Sequence, residues 1–337
     1  MNLAGLRFDR TAAVIDGRIR IEDVNVINAP GGKAAIQGLL SGAFDAAEVP
    51  FARYVSWISH GAQLHAAPIF TDRLFQHEYI YTRPDTGIES LADLRGRRVI
   101  CAPSYFATPS FWHRALLKEE AGIEPREIEW HSVAPEAEEM RLPAGVTVKL
   151  SKASILGLER LLDGTADALM TARTPLVPKG RTVVRVMKDA NQKQREWHRR
   201  TGFFPILHVI AMRDEALKAR PDLGVDLCRA YDEAKAYCYR VLQDDRMTGL
   251  PFMRGYLDDA VALGGDDPWP YGLERNRAEI EHFLDLAQAH GLTEKRVELA
   301  RLFDAGCAGY EFTARMSAGC IMGTAEGGWA PNSVRPE

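Results

Sequence analysis

The chain has 337 residues, which is long for a single hydrophobic core, so two domains are expected. Hydrophobic residues make up 46% and charged residues 26%, as is typical of globular proteins. The 42 basic and 46 acidic residues give a formal net charge of −4, and the arginines are scattered. This balance predicts that neither nucleic acid nor an anionic membrane is a partner.

Targeting and metal-binding patterns are lacking in the sequence. The amino-terminal residues carry charge where a secretory signal needs an apolar run of about seven residues, so a cytoplasmic location is expected. No stretch approaches the roughly 18 apolar residues of a membrane span. The five cysteines and nine histidines form no Cys-x-x-Cys or His-x-x-x-His pair. We therefore expect reduced thiols, no structural metal and, without a glycine-rich nucleotide loop, no cofactor.

The first candidate site residues lie at the end of a short predicted strand, which starts at Leu6 and ends in Asp9-Arg10-Thr11. Ligands bind at the carboxyl ends of strands in open α/β sheets, which makes Arg10 and Thr11 candidates for substrate binding. The alternative is that Asp9 or Thr11 caps a helix. Glu48 ends a second predicted strand, over 43–49, where its carboxylate either is solvated or faces a cleft.

Charged and polar side chains also occur inside apolar segments farther along the chain. Arg73 and His77 lie among strand-like residues in Pro68–Tyr81, and such side chains are rarely buried without partners. The residues Ser104, Tyr105 and Thr108 separate a buried strand at 98–102 from a helix at 111–120. Free N–H groups and hydroxyls at a helix start favour an anion site, the alternative being simple capping by Thr108 or Ser110. Arg173 ends a further strand, over 166–173, and is the second candidate for binding a substrate anion.

A buried histidine marks the most informative segment, Arg200–Met212. Gly202 and Pro205 precede an apolar, β-prone run that contains His208, and a polar ring on a buried strand needs a partner or a chemical role. The alternative is a core histidine bonded to the backbone. The remainder of the chain is mainly helical and is interrupted by an aromatic loop with Trp269 and Tyr271. We expect this loop either to bind substrate or simply to connect helices.

Several of these segments together resemble the 4,5-dihydroxyphthalate decarboxylase family, from about residue 5 to about residue 305. Two departures concern the substrate: Gln76-His77 stands where the family usually has Arg-His, and the residues around Arg173 differ. Because the uncharged Gln76 replaces an arginine that could bind a carboxylate, the sequence does not favour a diacid substrate. The matching motifs are Phe8-Asp9-Arg10-Thr11, Phe44-Asp45-Ala46-Ala47-Glu48, Pro68-Ile69-Phe70 with Arg73, Phe75 and His77, Arg200 to His208, and Trp269 to Arg277.

The resemblance implies an α/β fold of two lobes, like that of type II periplasmic binding proteins. Each lobe would contain a mixed sheet flanked by helices, and the chain would cross between lobes near 84–96 and 200–205. The first lobe would comprise residues 1–90 and 201–315, the second residues 91–200, and a disordered tail residues 316–337. The site would lie in the cleft between the lobes.

The resemblance also implies a function, namely cofactor-independent decarboxylation of a hydroxylated aromatic acid such as 4,5-dihydroxyphthalate, in aromatic compound catabolism. Ring protonation would be followed by loss of carbon dioxide, with protocatechuate as the product. The proton donor would be His208 or His77, the acceptor for the phenol Glu48, and the carboxylate ligands Arg10, Arg73 and Arg173. Two alternatives stay open: a solute-binding protein for a small anion, and another lyase or dehydratase on the same fold. The sequence leaves open whether the chain forms a homo-oligomer.

Overall fold

The computed structural model describes residues 1–136, 140–151, 154 and 157–316, which form two β-sheets flanked by helices. The strands are β1 (Asn2–Gly5), β2 (Asn25–Asn28), β3 (Ala46–Pro50), β4 (Leu64–Arg73), β5 (Ile80–Thr82), β6 (Arg98–Cys101), β7 (Glu129–Ser132), β8 (Val148–Leu150), β9 (Ala168–Met170), β10 (Val184–Arg185) and β11 (Ile206–Arg213). The helices are α1 (Ala12–Ile15), α2 (Gly32–Ser41), α3 (Phe51–Ser59), α4 (Thr108–Ala121), α5 (Leu158–Leu162), α6 (Ala190–Thr201), α7 (Asp214–Ala219), α8 (Leu223–Gln243), α9 (Met253–Gly264) and α10 (Leu273–Ala289).

The first sheet brings polar segments from distant parts of the chain to one edge. Its strand order is β2-β1-β3-β11-β4, with β1 parallel to its neighbours and β11 antiparallel to both β3 and β4. The carboxyl ends of β1, β3 and β4 therefore meet at the same edge as the amino end of β11. This topology collects the segment after β1, Glu48, the end of β4 and His208.

The second sheet has the order β10-β5-β9-β6-β7-β8, and β6 is parallel to both β7 and β9. Val99, Ile100 and Cys101 of β6 are fully buried, as expected for a parallel strand covered on both faces. The carboxyl ends of β6, β7 and β9 meet at one edge, so the segment at 102–107, the residues that follow β7 and Arg173 share that edge.

The chain crosses between the sheets earlier than the predicted segment 84–96. Ile80–Thr82 already pair with β9 in the second sheet, so the first crossing lies between Arg73 and Ile80. The return follows α6, which Gly202 ends in the left-handed region at φ 73°. Of the predicted tail, 316–337, residues 317–337 lie outside the described residues, whereas Met316 is buried and donates its N–H to the Asp266 carbonyl at 2.7 Å. No described helix has both the length and the hydropathy that crossing a bilayer requires.

A buried ion pair fastens the return crossing to α10. Arg73 donates from one guanidinium nitrogen to the carbonyl of Phe204 at 2.6 Å and lies 3.4 Å from the Glu279 carboxylate. Glu279 also accepts the backbone N–H groups of Phe204 at 3.0 Å and Ile206 at 2.7 Å. Arg73 has a fully buried side chain, and both charges are held by several partners, as buried charges must be.

We expect Glu279→Gln to lower the free energy of unfolding by about 3–5 kcal/mol, because the guanidinium of Arg73 would stay buried without a counter-charge. Urea unfolding followed by circular dichroism measures the change. The matched control is Glu274→Gln on the same helix, which breaks the exposed pair with Arg277 and should leave the unfolding midpoint in place. Equal effects of the two variants would contradict the assignment.

Candidate active site

Irregular pairing of β4 shapes the edge where the polar segments meet. β4 is an edge strand, and its register with β11 passes from Asp72 opposite His208 to Ala67 opposite Ile210. Such irregularities bend a strand and re-aim its side chains. Three carbonyls in this part of β4 accept hydrogen bonds from outside the sheet. The Thr71 carbonyl accepts from Arg10 Nε at 2.7 Å, and the Phe70 carbonyl accepts from Trp269 Nε1 at 2.9 Å. The Pro68 carbonyl accepts the Gly272 N–H at 2.9 Å.

His208 and Glu48 form a hydrogen-bonded pair across β11 and β3. The Nδ1 of His208 lies 2.7 Å from Oε1 of Glu48, whose other oxygen accepts the Leu6 N–H at 3.1 Å. Glu48 is 1% exposed, whereas 18% of the His208 side chain is accessible. Nδ1 is engaged, whereas Nε2 has no hydrogen-bond partner among the described residues, so Nε2 is the ring nitrogen left for a ligand.

The charges around His208 favour its protonated form. Burial by itself lowers the pKa of this imidazole, but the hydrogen bond and charge of Glu48, together with the charge of Asp72, raise the pKa above its ordinary value. Asp72 lies directly opposite His208 in the sheet, where paired side chains share one face. Burial raises the pKa of Asp72 too, against the opposing effect of the His208 and Arg10 charges. The site therefore contains an acid-base cluster of one histidine and two carboxylates.

Arg10 completes this cluster and joins it to the aromatic loop. Its guanidinium lies 3.6 Å from the ring centroid of Trp269, 3.1 Å from the Asp9 carboxylate and 3.8 Å from that of Asp72. Stacking on an aromatic face suits the planar guanidinium and holds its plane fixed. The side chain is 12% exposed, which leaves part of it available to a ligand.

A second buried charge network holds Trp269 in place. The carboxylate of Asp267 accepts hydrogen bonds from Lys235 at 3.0 Å and from the Tyr239 hydroxyl at 2.6 Å. That hydroxyl in turn accepts the Trp269 N–H at 3.0 Å, and Lys235 donates to the Trp269 carbonyl at 3.2 Å. The aromatic face under Arg10 is thus fixed by groups on α8.

An apolar cavity of about 440 Å³ opens beside Arg10. Asp9, Arg10, Phe204 and Trp269 contribute to its lining, together with residues of α6, α8 and α9. Cavities of roughly 300–1,000 Å³ with a few polar groups are typical of small-molecule sites. The polar cluster and this cavity meet at Arg10.

The predicted anion site in the second sheet is filled by the chain itself. The carboxylate of Glu136 accepts the N–H of Tyr105 at 2.6 Å and that of Phe106 at 3.2 Å. The hydroxyl of Thr108 accepts the N–H of Ala52 at 3.1 Å, and Arg114 stacks over the buried Tyr105 ring at 3.8 Å. These contacts give Tyr105 and Thr108 structural partners, while Ser104 stays half-buried.

The other predicted site residues lie in varied surroundings. Arg73 is sealed beneath the sheet edge by Glu279, and Thr11 is fully buried with its hydroxyl donated to the Leu6 carbonyl at 2.7 Å. His77 packs against Trp197, and burial lowers its pKa to about 4, so it is neutral near pH 7. Tyr271 is buried, with Lys235 over its ring. Arg173 is exposed at the edge of the second sheet.

Two residues of this region were missed by the sequence reasoning. Asp72 stands next to the singled-out Arg73, but the strand pattern alone does not say which neighbour faces the cleft. Glu136 lies in an acidic segment that predicts a surface loop. In the described part of the chain, no three His, Cys, Asp or Glu side chains are grouped in a way that would hold a metal ion.

The chain is similar in sequence to two curated proteins and similar in fold to solved structures. No family model matches the chain. The 4,5-dihydroxyphthalate decarboxylase of Comamonas testosteroni is 30% identical over 316 residues, covering 90% of this chain and 96% of that protein. The protein of the same name from Pseudomonas putida is 27% identical over 214 residues, covering 60% and 83%.

Solved structures share the fold at low sequence identity. The periplasmic aliphatic sulphonate binding protein SsuA from Escherichia coli superposes with a TM-score of 0.53 at 15% identity, covering 90% of this chain and 96% of that chain. The alkanesulfonate-binding protein SsuA from Xanthomonas axonopodis pv. citri, bound to MOPS, gives a TM-score of 0.51 at 15% identity, covering 90% and 97%. The predicted binding-protein-like α/β fold is thereby confirmed.

We expect His208 to titrate above its ordinary pKa of 6.5 and Glu48→Gln to bring the pKa below that value, because burial would then act with less opposition. Histidine ring signals followed by NMR from about pH 5 to pH 9 measure both. The control is Asp214→Asn, which breaks the similar pair of His65, near the start of β4, and Asp214, just after β11. If this control moved the His208 titration as far as Glu48→Gln does, the pairing would not set the pKa.

Proposed function

The chain belongs to the family of 4,5-dihydroxyphthalate decarboxylases and is therefore a lyase, and from this we propose that it decarboxylates a hydroxylated aromatic acid at the edge of the first sheet. One observation carries the proposal: Nδ1 of the partly exposed His208 lies 2.7 Å from the buried carboxylate of Glu48, which leaves Nε2 for a substrate. This arrangement is suited to proton donation near neutral pH.

The reaction is electronically feasible without an electron-sink cofactor. A hydroxyl para to the carboxylate can release its proton while the ring carbon that bears the carboxylate accepts one, which gives a dienone. Cleavage of the bond to the carboxylate then returns its electron pair to the ring, carbon dioxide leaves, and the phenolate regains its proton. The protein must supply a proton donor for carbon and an acceptor for the phenol.

We assign the donor role to His208 rather than His77. The raised pKa of His208 keeps the imidazolium populated around neutral pH, whereas the buried His77 is neutral there. Glu48 acts through His208: by accepting from Nδ1 it orients the ring so that Nε2–H points at the substrate. Its predicted role as acceptor for the phenol fits poorly, because both carboxylate oxygens are engaged and buried.

We assign the acceptor role to Asp72. Its side chain is 27% exposed and lies opposite His208, so it can approach a ring that also receives a proton from that histidine. Burial raises the pKa of Asp72, which makes its carboxylate a stronger base than an ordinary aspartate. Arg10 is placed to orient a substrate carboxylate. Because it shares its charge with Asp9 and Asp72, it stabilises the bound carboxylate less than an unpaired arginine would, and this favours departure of carbon dioxide.

The proposal is tested by incubating the protein with 4,5-dihydroxyphthalate and a series of para-hydroxylated aromatic acids. Evolved carbon dioxide and the ultraviolet spectrum of the product are measured together. Turnover of at least one compound is expected. Tight binding of these acids without turnover would instead support a solute-binding protein, the function of the proteins that share its fold.

His208→Asn should lower kcat by about 10²- to 10⁴-fold, because asparagine keeps a hydrogen bond to Glu48 but delivers no proton at neutral pH. Melting temperature measured on the same preparation separates catalysis from folding. His65→Asn, which changes a histidine paired with a carboxylate at the opposite end of β4, is the control and should retain kcat. A stable His208→Asn with full activity would remove His208 from the mechanism.

The pH dependence follows from the same assignments. Because the acid form of His208 is required, kcat/KM should fall as the pH rises through a pKa above 6.5.

Asp72→Asn should lower kcat/KM on the order of 10²-fold, through loss of the phenol acceptor. It should not weaken inhibition by the methyl ether of the same phenol, which has no proton to give. A shift of the basic limb to lower pH without any loss at the optimum would show that Asp72 acts only through His208.

A further inference from the structure

We infer that the substrate carries a single carboxylate and an apolar substituent, and that this substituent occupies the cavity beside Arg10. The inference rests on the proposed function and makes its substrate class more specific. It differs from the diacid in the names of the two bacterial relatives.

The first support is the chemical character of the cavity. Much of the lining is apolar and comes from helices α8 and α9 and from Met316. These residues are Leu242, Met253, Leu257, Ala260, Leu263 and Met316. Transfer of apolar surface from water into such a space is favourable, whereas an ionised group without a partner there is strongly disfavoured. The lining therefore selects a hydrocarbon group.

The second support is volume. A cavity of roughly 150 Å³ lined by apolar side chains holds one benzene ring. The cavity beside Arg10, at about 440 Å³, has space for an aromatic ring with a further alkyl or aryl group. The carbon dioxide product is far too small to account for it.

The third support is the distribution of charge. Among the described residues that line the cavity, the permanent cations are Arg10 and Arg195. Arg195 lies 2.9 Å from the Asp259 carboxylate, so its charge is already paired. Arg10 can serve one carboxylate. A second carboxylate inside the cavity would find no unpaired arginine among these lining residues.

Two further positions, at and just after the end of β4, provide no free cation. Arg73 is sealed by Glu279, and the side chain of Gln76, which is buried and uncharged, donates to the Leu74 carbonyl at 2.7 Å. Neither can move to the cavity without leaving buried partners unsatisfied.

The experiment compares the binding of two ligands by calorimetry: 4,5-dihydroxyphthalate, and its analogue in which a butyl chain replaces one carboxylate. We expect the butyl analogue to have a Kd at least on the order of tenfold lower. Ala260→Phe fills the cavity and should reduce this preference by about tenfold or more. Leu263→Ala, which removes part of the apolar wall without filling the space, should reduce it by a smaller factor.

The control is Ala262→Phe, an exposed position on the same helix that does not line the cavity, and it should preserve the preference. Tighter binding of the diacid by the unmodified protein, or an equal effect of Ala260→Phe on both ligands, overturns the inference. Carbon dioxide release is followed in parallel. If the butyl analogue binds as expected but neither compound is decarboxylated, the inferred ligand class stands and the proposed function fails.

Discussion

The site depends on how the edge strand β4 satisfies its backbone. Where its pairing with β11 is irregular, three carbonyls accept hydrogen bonds from Arg10, Trp269 and Gly272, which come from the two ends of the chain. Buried carbonyls require such partners, so the strand, the segment after β1 and the aromatic loop must assemble together. The same irregularity leaves Asp72 opposite His208, and the acid-base cluster is thus a consequence of backbone pairing.

Two buried charge networks lie on either side of that edge and have different tasks. Arg73 and Glu279 hold the chain where it returns to the first sheet, and their burial makes them costly to separate. Asp267, Lys235 and Tyr239 fix Trp269, on which Arg10 stacks. Charged groups that could have bound a ligand are thereby committed to the fold. Arg10, Asp72 and His208 keep partly exposed side chains, and their charges have mixed signs.

The proposed chemistry makes one demand on the fold. In the proposed mechanism, ring protonation requires a donor that is charged near neutral pH. The pair of His208 and Glu48 favours such a donor, because Glu48, whose second oxygen accepts the Leu6 N–H, raises the pKa of the histidine. The proposed function thus depends on the protonation state of one ring, within an architecture that is shared with binding proteins.

The sequence by itself determined the buried strands, their punctuation by glycine and proline, and the motifs that indicate the family. It also singled out Arg10, Glu48, His208 and Trp269, because polar or aromatic residues at strand ends and in rigid loops are identifiable from local pattern. Only the tertiary structure decided which charges are committed elsewhere. Arg73 and Glu279 are 206 residues apart, and the carboxylate of Glu136, 31 residues from Tyr105, fills the expected anion site. Such partners are set by long-range packing, which no local periodicity encodes, and for the same reason the proposed role of Asp72 could be inferred only from its register with β11.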